Sequence, residues 1–398
     1  MRLVHFSDPH LGFRQFQRTT PGGINQREAD VARAFANAID KTIALKPDLV
    51  CIAGDVFHTV RPTNPAILHA FAQFTRLTQE LPDAKVIVVA GNHDLPRSSE
   101  TVCMLRLFAP LGIEIADTQP RRLEYPELGL SVLAVPELDN QEIAWEPDAA
   151  FKYNVLLAHA DVAGIHPGTE PSDDVASLHV PESVLQSPAW SYIALGHFHV
   201  YRKVGPNAFY SGSLDFASTS AWTELGIQRK EKLPGKGLIE RDLATGRQVF
   251  HPLPVVREFL DLPAIEGRGL AAAELNALIG AAVERIPGGI DGKVVRLVAR
   301  DVSRHVAREL DHKSLREWQR RALHFHLDTR RPEMIRAERS GAPGRRPSLA
   351  DTLRESLRSR VLTADIDREQ LIHLGMHYLR EAEQAGAGAT AVASGEGP

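Results

Sequence analysis

Short apolar runs alternate with amphipathic helical patterns over roughly the first half of the chain. Most of the runs are apolar at every position, which is typical of strands buried on both faces of a sheet. Two helical patterns lie between them, over 28–45 and 63–81, and the second starts at a Thr-Asn-Pro cap. This alternation predicts an α/β layered domain. The strand-like runs are Leu3–Phe6, Leu49–Ala53, Val86–Ala90, Ser131–Val135, Val155–Ala158 and Tyr192–Leu195.

The pattern changes around residue 252. An Ala-rich amphipathic helix is predicted over 270–286, between two strand-like segments, and a helix that runs into a strand is predicted further along. We expect a small α+β domain here, over 253–337, followed by a linker rich in Gly, Pro and Arg over 338–347. The two strand-like segments are 255–262 and 292–299, and the helix–strand segment is 315–329.

Two helices and a tail are predicted at the end of the chain. Ser348 and Asp351 fit a capping box in which Asp replaces the usual Glu, and leucines follow on one stripe of the helix. A second helix is predicted over about 366–384. We therefore expect a helical segment over 348–385 and, from its composition, a disordered tail over 386–398.

The composition fits a soluble globular protein of two or three domains. Of the 398 residues, 43% are apolar and 24% are charged. No apolar stretch approaches the ~18–20 residues that cross a bilayer, and we expect no signal peptide, because the first residues lack an apolar core. The two cysteines, Cys51 and Cys103, are too few for a disulfide framework, so we expect a reducing, cytoplasmic location.

Five of the apolar runs end in polar clusters. Because sites in open α/β sheets form at the carboxyl ends of the strands, these clusters predict one convergent site. Oxygen donors mixed with imidazoles suit Mn²⁺, Fe²⁺ or Zn²⁺ better than Mg²⁺ or Ca²⁺. Seven possible ligands are too many for one catalytic ion and about right for two ions that share a carboxylate. These ligands are Asp8, His10, Asp55, Asn92, His159, His197 and His199.

The order of these motifs closely resembles the calcineurin-like metallophosphoesterase superfamily. The motifs are D-x-H, G-D, G-N-H-D, a lone His and G-H-x-H, each after an apolar run. The resemblance implies an α/β fold, a layered β-sandwich flanked by helices, and two divalent metal ions bridged by Asp55. It implies that one ion is held by Asp8, His10, Asp55 and His199, and the other by Asp55, Asn92, His159 and His197.

Two neighbours of these ligands are candidates for catalysis. His93 follows Asn92 and is not needed for coordination, so it is placed to contact the phosphate or to protonate the leaving oxygen. Asp94 could hold the His93 ring in its tautomer and orientation, or it could simply cap a turn. His5, in an apolar run, is interpreted as structural.

Finer matches are similar to the SbcD-type DNA repair nucleases, bacterial members of the double-strand-break nuclease family. They are HLGFRQF after the first motif, GDVFH, GNHD, GHFH and YSGS over 210–213. The resemblance implies exonuclease and endonuclease action at DNA ends with Mn²⁺, and a role for His58 in exonuclease action. A plain loop histidine is the alternative for His58. Pro9 departs from the pattern, because many SbcD-type members carry an aromatic residue there.

The same resemblance implies domains and partners. It covers roughly residues 1–330 and implies a catalytic domain over 1–252 and a DNA-capping domain over 253–337. The helices of 348–385 would bind the coiled-coil base of an SbcC-type ATPase, or else pack on the chain's own cap. The 63–81 helix would form a homodimer face, or else only cover the sheet. The location would be cytoplasmic, on the nucleoid.

The distribution of charge favours a DNA partner more than the net charge does. The chain holds 46 Lys and Arg against 50 Asp and Glu, a net charge of −4, which alone argues weakly against nucleic acid. Residues 304–360 hold 15 Lys and Arg against 8 Asp and Glu, a net of +7, so the remainder is at −11. Such basic groups, Arg320, Arg321, Arg330 and Arg331 among them, could neutralise phosphates without reading sequence, or form a solvated helix face. The candidates for DNA contact are Arg14, Arg18, Arg320 and Arg321.

Two other functions stay open at this point. One is a cytoplasmic phosphodiesterase for small nucleotides or phospholipid intermediates, which would need neither a cap nor a basic segment. The other is a DNA-end scaffold that recruits the ATPase without catalysis. The intact ligand set and the Asn92-His93-Asp94 run argue against the scaffold.

Overall fold

The computed structural model describes residues 1–96, 101–138, 143–164, 178–218, 221–332, 348–359 and 367–392, and the side chains of the last range up to residue 382. The chain divides into two compact units, Met1–Pro332 and Glu333–Pro398. The predicted linker over 338–347 lies outside the described residues. The division of the first unit into a catalytic and a capping domain stays a prediction.

The first sheet contains four parallel strands and an antiparallel pair at one edge. Its strand order is β12-β11-β1-β2-β3-β4, and β11 runs antiparallel to both β1 and β12. The strands are β1 (Arg2–Phe6), β2 (Leu49–Ala53), β3 (Lys85–Val89), β4 (Glu114–Ala116), β11 (Gly237–Asp242) and β12 (Gln248–Pro252).

The second sheet also has six strands and lies face to face with the first. Its order is β5-β6-β7-β8-β10-β9, with β6, β7, β8 and β10 parallel and an antiparallel strand at each edge. One buried apolar cluster joins the two sheets, with Leu3 and Cys51 on one side and Val132 and Leu157 on the other. The strands are β5 (Arg121–Tyr125), β6 (Leu130–Val135), β7 (Tyr153–His159), β8 (Tyr192–Gly196), β9 (Arg202–Lys203) and β10 (Ala208–Tyr210).

Helices cover the outer faces, so the predicted layered sandwich is confirmed. Val31, Phe35 and Phe74 pack on the first sheet, because the apolar stripe of each helix recurs at helical spacing. The predicted cap of the second helix forms, since the Thr63 hydroxyl accepts the Ala66 amide at 3.3 Å. The helices are α1 (Gln26–Leu45), α2 (Asn64–Glu80), α3 (Glu182–Leu185) and α4 (Ala221–Glu231), with 3-10 helices at Met104–Leu111 and Pro126–Leu128.

A third, smaller sheet follows β12 in the same unit. Its strands are all parallel, with β15 between β16 on one side and β13 and β14 on the other. The strand predicted over 255–262 forms only over Phe259–Asp261, because Val255 is solvent-exposed and Arg257 binds Asp30 of α1. The elements are β13 (Phe259–Asp261), β14 (Ile265–Glu266), α5 (Ala272–Glu284), β15 (Val294–Arg300), α6 (Arg304–Arg308), α7 (His312–Arg321) and β16 (His324–Thr329).

The second unit contains two helices, α8 (Leu349–Ser359) and α9 (Arg368–Val392). The predicted capping box forms, since the Asp351 amide donates to the Ser348 hydroxyl at 3.2 Å and the Ser348 amide donates to the Asp351 carboxylate at 3.3 Å. Helix α9 continues to Val392 and so overlaps the start of the predicted tail. Within the described residues, no helix is both long enough and apolar enough to span a bilayer.

Candidate metal centre

The seven predicted ligands follow the carboxyl ends of five strands, three in the first sheet and two in the second. Asp8 and His10 follow β1, and Asp55 and Asn92 follow β2 and β3. The imidazoles of the second sheet are His159 at the end of β7 and His197 and His199 after β8. The centre therefore lies along one edge of the sandwich, where the two sheets meet.

The first two ligand loops hold each other in place through backbone hydrogen bonds. The amide of Asp8 donates to the Gly54 carbonyl at 3.0 Å, and the amide of His10 donates to the Asp55 carbonyl at 2.9 Å. A third bond links Leu11 and Val56 at 2.8 Å. This short ladder fixes two carboxylates beside each other without help from their side chains.

Four of the ligands adopt a backbone conformation that non-glycine residues rarely use. The φ angles are 51° at Asp8, 49° at His10, 50° at Asp55 and 101° at His197. Each such residue costs on the order of 1–3 kcal/mol. Because backbone strain of this kind concentrates at functional sites, it supports a role for these loops beyond packing.

One half of the cluster brings two imidazoles and a carboxylate together. The Nε2 atoms of His10 and His199 lie 3.0 Å apart, and His10 Nε2 lies 3.6 Å from Asp55 Oδ2. Asp8, His10 and His199 can also direct one ligand atom each toward a common point. The first predicted ligand group is thus assembled, with its donor atoms facing each other.

The other half contains His159 and Asn92, and the same Asp55 oxygen closes it. His159 Nε2 lies 3.0 Å from Asn92 Oδ1 and 3.5 Å from Asp55 Oδ2. The opposite ring nitrogen, Nδ1, lies 2.9 Å from the carbonyl oxygen of Ala53. With Nδ1–H donating to that carbonyl, Nε2 presents its lone pair to the cluster, as a metal ligand requires.

His197 joins this second half through its backbone and ring. Its amide donates to Asp8 Oδ1 at 3.1 Å, and its ring lies 5.3 Å from the ring of His159. Its Nε2 atom lies 3.6 Å from Asp161 Oδ1. All seven predicted ligands therefore belong to one cluster.

The electrostatics of the cluster fit two divalent cations. Asp8, Asp55, His10 and His159 are almost completely buried. Without a cation, burial raises the pKa of Asp8, and burial with the neighbouring imidazoles holds the pKa of His10 well below its usual range. Deprotonated carboxylates and neutral imidazoles are the forms that bind metal, and a cation would compensate the buried negative charge.

The ring of His93 is oriented by a backbone carbonyl rather than by Asp94. His93 Nδ1 lies 2.8 Å from the carbonyl oxygen of His58. The Asp94 carboxylate instead accepts amides from Val56 at 3.1 Å, Phe57 at 2.9 Å and Gly91 at 3.1 Å. The suggested contact of Asp94 with the His93 ring is therefore wrong, and Asp94 braces the loops after β2 and β3.

Asp94 is buried in a way that suits this bracing role. Burial, and then the nearby Asp55 charge, raise its pKa to about 7, against the effect of the three amides. His58 and His93 stack at 5.1 Å between ring centroids, and both rings are half-buried beside His10. The open side of the cluster is therefore lined by imidazoles.

Two residues that the sequence did not single out support His199. Glu224 on α4 lies 3.4 Å from His199 Nδ1 through Oε1. The Lys236 ammonium donates to the other Glu224 oxygen at 2.5 Å, to the Ser213 hydroxyl at 2.7 Å and to the His199 carbonyl at 2.9 Å. Burial would raise the pKa of Glu224, but Lys236 and His199 outweigh it and lower the pKa to about 2. A lone acidic residue on a helix carries no sequence signal for such a role.

The four arginines predicted to contact DNA all have partners within the protein. Arg14 binds Glu28 at 2.7 Å, and Arg321 binds Asp291 at 2.7 Å. Arg320 pairs with Glu317, one turn earlier on α7. Arg18 donates to main-chain carbonyls at the end of α7, those of Gln319, Arg320 and Ala322. Arg18 therefore links the loop after β1 to the end of α7. Its predicted contact with DNA stays a prediction.

Comparison with known proteins finds a family and several relatives. The family model described as calcineurin-like phosphoesterase matches residues 1–201. Curated relatives named "DNA double-strand break repair protein Mre11" include one from Methanocaldococcus jannaschii, 28% identical over 210 residues, which are 50% of this chain and 51% of the relative. Another, from Thermoplasma acidophilum, is 26% identical over 257 residues, 61% of this chain and 62% of the relative.

A longer match extends beyond the sandwich. The protein of the same name from Methanosarcina mazei is 23% identical over 369 residues, 80% of this chain and 55% of the relative. The chain spans about half the length of the relatives from Methanocaldococcus jannaschii and Methanosarcina mazei. All seven predicted ligands fall inside the residues that the family model matches.

Proposed function

This chain belongs to the calcineurin-like phosphoesterase family, and we propose that it is a dinuclear-metal nuclease that hydrolyses phosphodiester bonds at DNA ends during repair. The observation that carries the proposal is the cluster of seven buried or half-buried ligands with Asp55 shared between its halves. A shared carboxylate suits two ions that act on one phosphoryl group. DNA as the substrate is supported by the names of the relatives and by the basic segment over 304–360.

The proposed mechanism assigns distinct tasks to the residues of the site. When bound, two divalent cations activate water and neutralise charge on the phosphoryl group during in-line attack. His159 and His199 hold their Nε2 lone pairs toward the cluster because Ala53 and Glu224 occupy the vicinity of Nδ1. The substrate approaches from the side of His58 and His93, where the cluster is not closed by the core.

His93 is the group proposed to move a proton. Its Nδ1–H donates to the His58 carbonyl, which fixes the ring and makes Nε2 the nitrogen that faces the reaction. From Nε2 a proton passes to the leaving oxygen, or a hydrogen bond holds a non-bridging phosphate oxygen. His58 packs against the His93 ring and keeps it in this orientation.

Finer features of the proposal concern metal, partners and location. The mixed carboxylate, amide and imidazole set suits Mn²⁺. Helix α2 presents Leu68 and Phe71, 70% and 40% exposed, as a face for a homodimer. Helices α8 and α9 would bind the coiled-coil base of an SbcC-type ATPase. Action on chromosomal DNA goes with a cytoplasmic, nucleoid-associated location.

The test compares two substrates and matched variants. Wild type, Asp55→Asn, His93→Ala and a control variant, His251→Ala on β12, are incubated with Mn²⁺ and either linear duplex DNA or bis(p-nitrophenyl) phosphate, with and without an SbcC-type ATPase. Wild type and the control should degrade DNA, His93→Ala should lose about 10²–10⁴-fold and Asp55→Asn all activity. Cleavage of the small diester without any cleavage of DNA would instead favour a small-nucleotide phosphodiesterase. No cleavage of either substrate would leave only a scaffold.

A further inference from the structure

A carboxylate that is not among the seven predicted ligands lies at the metal centre. Asp161 comes two residues after His159, the last residue of β7, and is only 5% exposed. Its Oδ1 atom lies 3.6 Å from Nε2 of the predicted ligand His197. A buried carboxylate is costly unless a donor or a positive charge compensates it. The His197 ring is the group placed to do so.

The main chain fixes the place from which the Asp161 side chain extends. The Asp161 amide donates to the Leu178 carbonyl at 2.9 Å, and the Val180 amide donates to the Asp161 carbonyl at 3.1 Å. The Leu178 amide in turn donates to the Glu137 carboxylate at 3.2 Å. The Asp161 carboxylate takes part in none of these bonds, so they do not explain why a carboxylate is buried here.

The pairing of β7 with β8 places this carboxylate beside the ring. The last residues of the two strands, His159 and Gly196, are partners in register, and the Ala160 amide donates to the Gly196 carbonyl at 3.3 Å. Asp161 follows Ala160, and His197 follows Gly196. The contact between Asp161 and His197 is therefore a direct consequence of how the two strands pair.

The three imidazoles of the second sheet each have one ring nitrogen beside an oxygen acceptor, which leaves the other nitrogen for the cluster. His159 Nδ1 lies 2.9 Å from the Ala53 carbonyl oxygen. His199 Nδ1 lies 3.4 Å from Glu224 Oε1. In His197 the nitrogen beside the acceptor is instead Nε2. Its Nδ1 atom is therefore the one left to bind a metal ion.

We propose that Asp161 is a positioning residue, which accepts a hydrogen bond from Nε2–H of His197 and so fixes the ring in the tautomer whose Nδ1 lone pair binds metal. Closing the separation from 3.6 Å to a hydrogen bond of about 3 Å takes only a small rotation of the carboxylate. The negative charge also makes the ring a stronger ligand. This role rests on the dinuclear-metal part of the proposed function, but not on DNA as the substrate.

The experiment measures the two metal affinities directly, without substrate. Wild type, Asp161→Ala, Asp161→Asn and a control are titrated with Mn²⁺ by calorimetry, and their thermal unfolding is followed in a chelator. The control is Asp117→Asn, which alters a carboxylate that is 7% exposed but pairs with Arg106 at 2.6 Å. Asp161→Asn loses the charge and keeps an oxygen that can accept a hydrogen bond from His197, whereas Asp161→Ala loses both.

Asp161→Ala should weaken the binding of one of the two ions about 10–100-fold, and Asp161→Asn should weaken the same ion by less. The other ion, and both ions in Asp117→Asn, should bind as in wild type. A purely structural role predicts instead that the metal-free Tm falls while the ratio of the two affinities keeps its wild-type value. An unchanged ratio in Asp161→Ala, with or without a lower Tm, would overturn the proposal.

If wild type binds no Mn²⁺, the dinuclear centre itself fails, and the His197 ring decides on Asp161. Nitrogen NMR of labelled histidines shows which ring nitrogen carries the proton in the metal-free protein, with His197→Gln to assign the signal. An Nε2–H signal that moves in Asp161→Ala and not in Asp117→Asn supports the hydrogen bond. An Nδ1–H tautomer in wild type, or an Nε2–H signal that does not move, overturns it.

Discussion

Asp55 is the side chain that both halves of the metal centre share. Its Oδ2 atom lies within 3.6 Å of His10 Nε2 and 3.5 Å of His159 Nε2, while Oδ1 accepts the His93 amide at 2.9 Å. An asparagine at this position can still accept the hydrogen bond from the His93 amide, and it tolerates the φ of 50°. The variant Asp55→Asn thus isolates the negative charge from the local structure.

We expect Asp55→Asn to fold but to lose its stabilisation by metal. Wild type should gain about 2.7 kcal/mol of unfolding free energy for each bound ion at a Mn²⁺ concentration 100-fold above the dissociation constant. The variant should show little difference between Mn²⁺ and a chelator. Urea unfolding in both conditions measures this, and an equal gain in the two proteins would contradict the role of Asp55 as a shared ligand.

Glu224 acts on the same centre one step away from the metal. Glu224→Gln should weaken binding of one of the two Mn²⁺ ions about 10–100-fold, since the His199 ring loses its charged partner. Lys236→Met should have a similar effect, because it removes the ammonium that compensates the charge of the buried carboxylate. Calorimetric titration with Mn²⁺ gives the two affinities. The double variant should lose less Mn²⁺ binding free energy than the two single variants lose together. If the losses are fully additive, Glu224 and Lys236 do not act as a unit.

The buried ring of His5, which is not one of the candidate ligands, should make the stability of the protein depend on pH. The ring lies 3.0 Å from the Tyr192 hydroxyl in the core, and burial lowers its pKa from 6.5 to about 3. Between these values the unfolded chain binds a proton that the folded chain does not. Above pH 6.5 His5 therefore costs the folded state nothing. As the pH decreases from 6.5 toward 3, the His5 effect lowers the free energy of unfolding by about 1.4 kcal/mol per pH unit.

The variant His5→Gln should remove this dependence while keeping a partner for Tyr192. The free energy of unfolding of the variant minus that of wild type should increase by about 2 kcal/mol as the pH falls from about 6.5 to about 5, because only wild type loses stability over this range. Urea unfolding at the two pH values measures it, with His251→Gln as the control for loss of an imidazole. Parallel pH profiles for His5→Gln and wild type would contradict the assignment.

At the scale of elements, close contact between β8 and β2 depends on a glycine. A Cβ atom at Gly196 would lie 1.7 Å from the Ala53 carbonyl oxygen and 3.1 Å from His159 Nδ1. Gly196→Ala should therefore cost about 3 kcal/mol or more, because the two sheets must separate to admit a methyl group. Gly280→Ala on α5, where nothing lies within 4 Å, should instead gain about 0.5–1 kcal/mol. Urea unfolding should show a loss of unfolding free energy for Gly196→Ala and a gain for Gly280→Ala. Similar changes in the two variants would show that the close contact at Gly196 does not require a glycine.

The elements that the sequence predicts well are those whose own residues determine their burial. Strand β2 is apolar at every position, β1 and β7 are apolar over most of their length, and nearly every residue of the three is buried. The candidate ligands could be proposed from the sequence for a related reason, because each polar cluster follows such a strand directly. The convergence of five strand ends then follows from parallel pairing.

Other elements depend on partners that the local pattern does not reveal. Strand β12 reads QVFHP and β9 only RK, and they form because β11 and β10 offer free edges. Glu224 lies on a helix with no clear apolar stripe, so its role depends on Lys236 and His199 being near in space. Asp94 was expected to contact its sequence neighbour His93, but amides of another loop compete successfully for its carboxylate.

At the scale of the whole first unit, Arg257 joins the small sheet to the sandwich. Its guanidinium binds both Asp30 oxygens, one at 2.7 Å, and donates to the Gly292 carbonyl. Asp30 also binds the buried Arg27 at 2.9 Å, which in turn lies 5.0 Å from the centre of the Phe259 ring. The joint is thus a compact charged network beside an aromatic cluster.

Arg257→Met should destabilise this unit by about 3 kcal/mol, because it breaks a largely buried ion pair from one side. Arg257→Lys keeps the positive charge but loses the planar, forked donors of the guanidinium group. Its loss of unfolding free energy should therefore be smaller than that of Arg257→Met but greater than zero. Urea unfolding of the three proteins tests this order. If Arg257→Lys and Arg257→Met lower the free energy of unfolding equally, the positive charge contributes nothing to the contact between the small sheet and the sandwich.

The division of the ligands between two sheets has a consequence for the order of folding. The carboxylate and amide donors and His10 come from the first sheet, and His159, His197 and His199 come from the second. Contacts between residues so far apart in the chain form late, because closing the long intervening loop costs entropy before any contact compensates it. Neither ion has a complete set of ligands until the sheets have docked. Metal should therefore leave the folding rate nearly unchanged and slow the rate of unfolding.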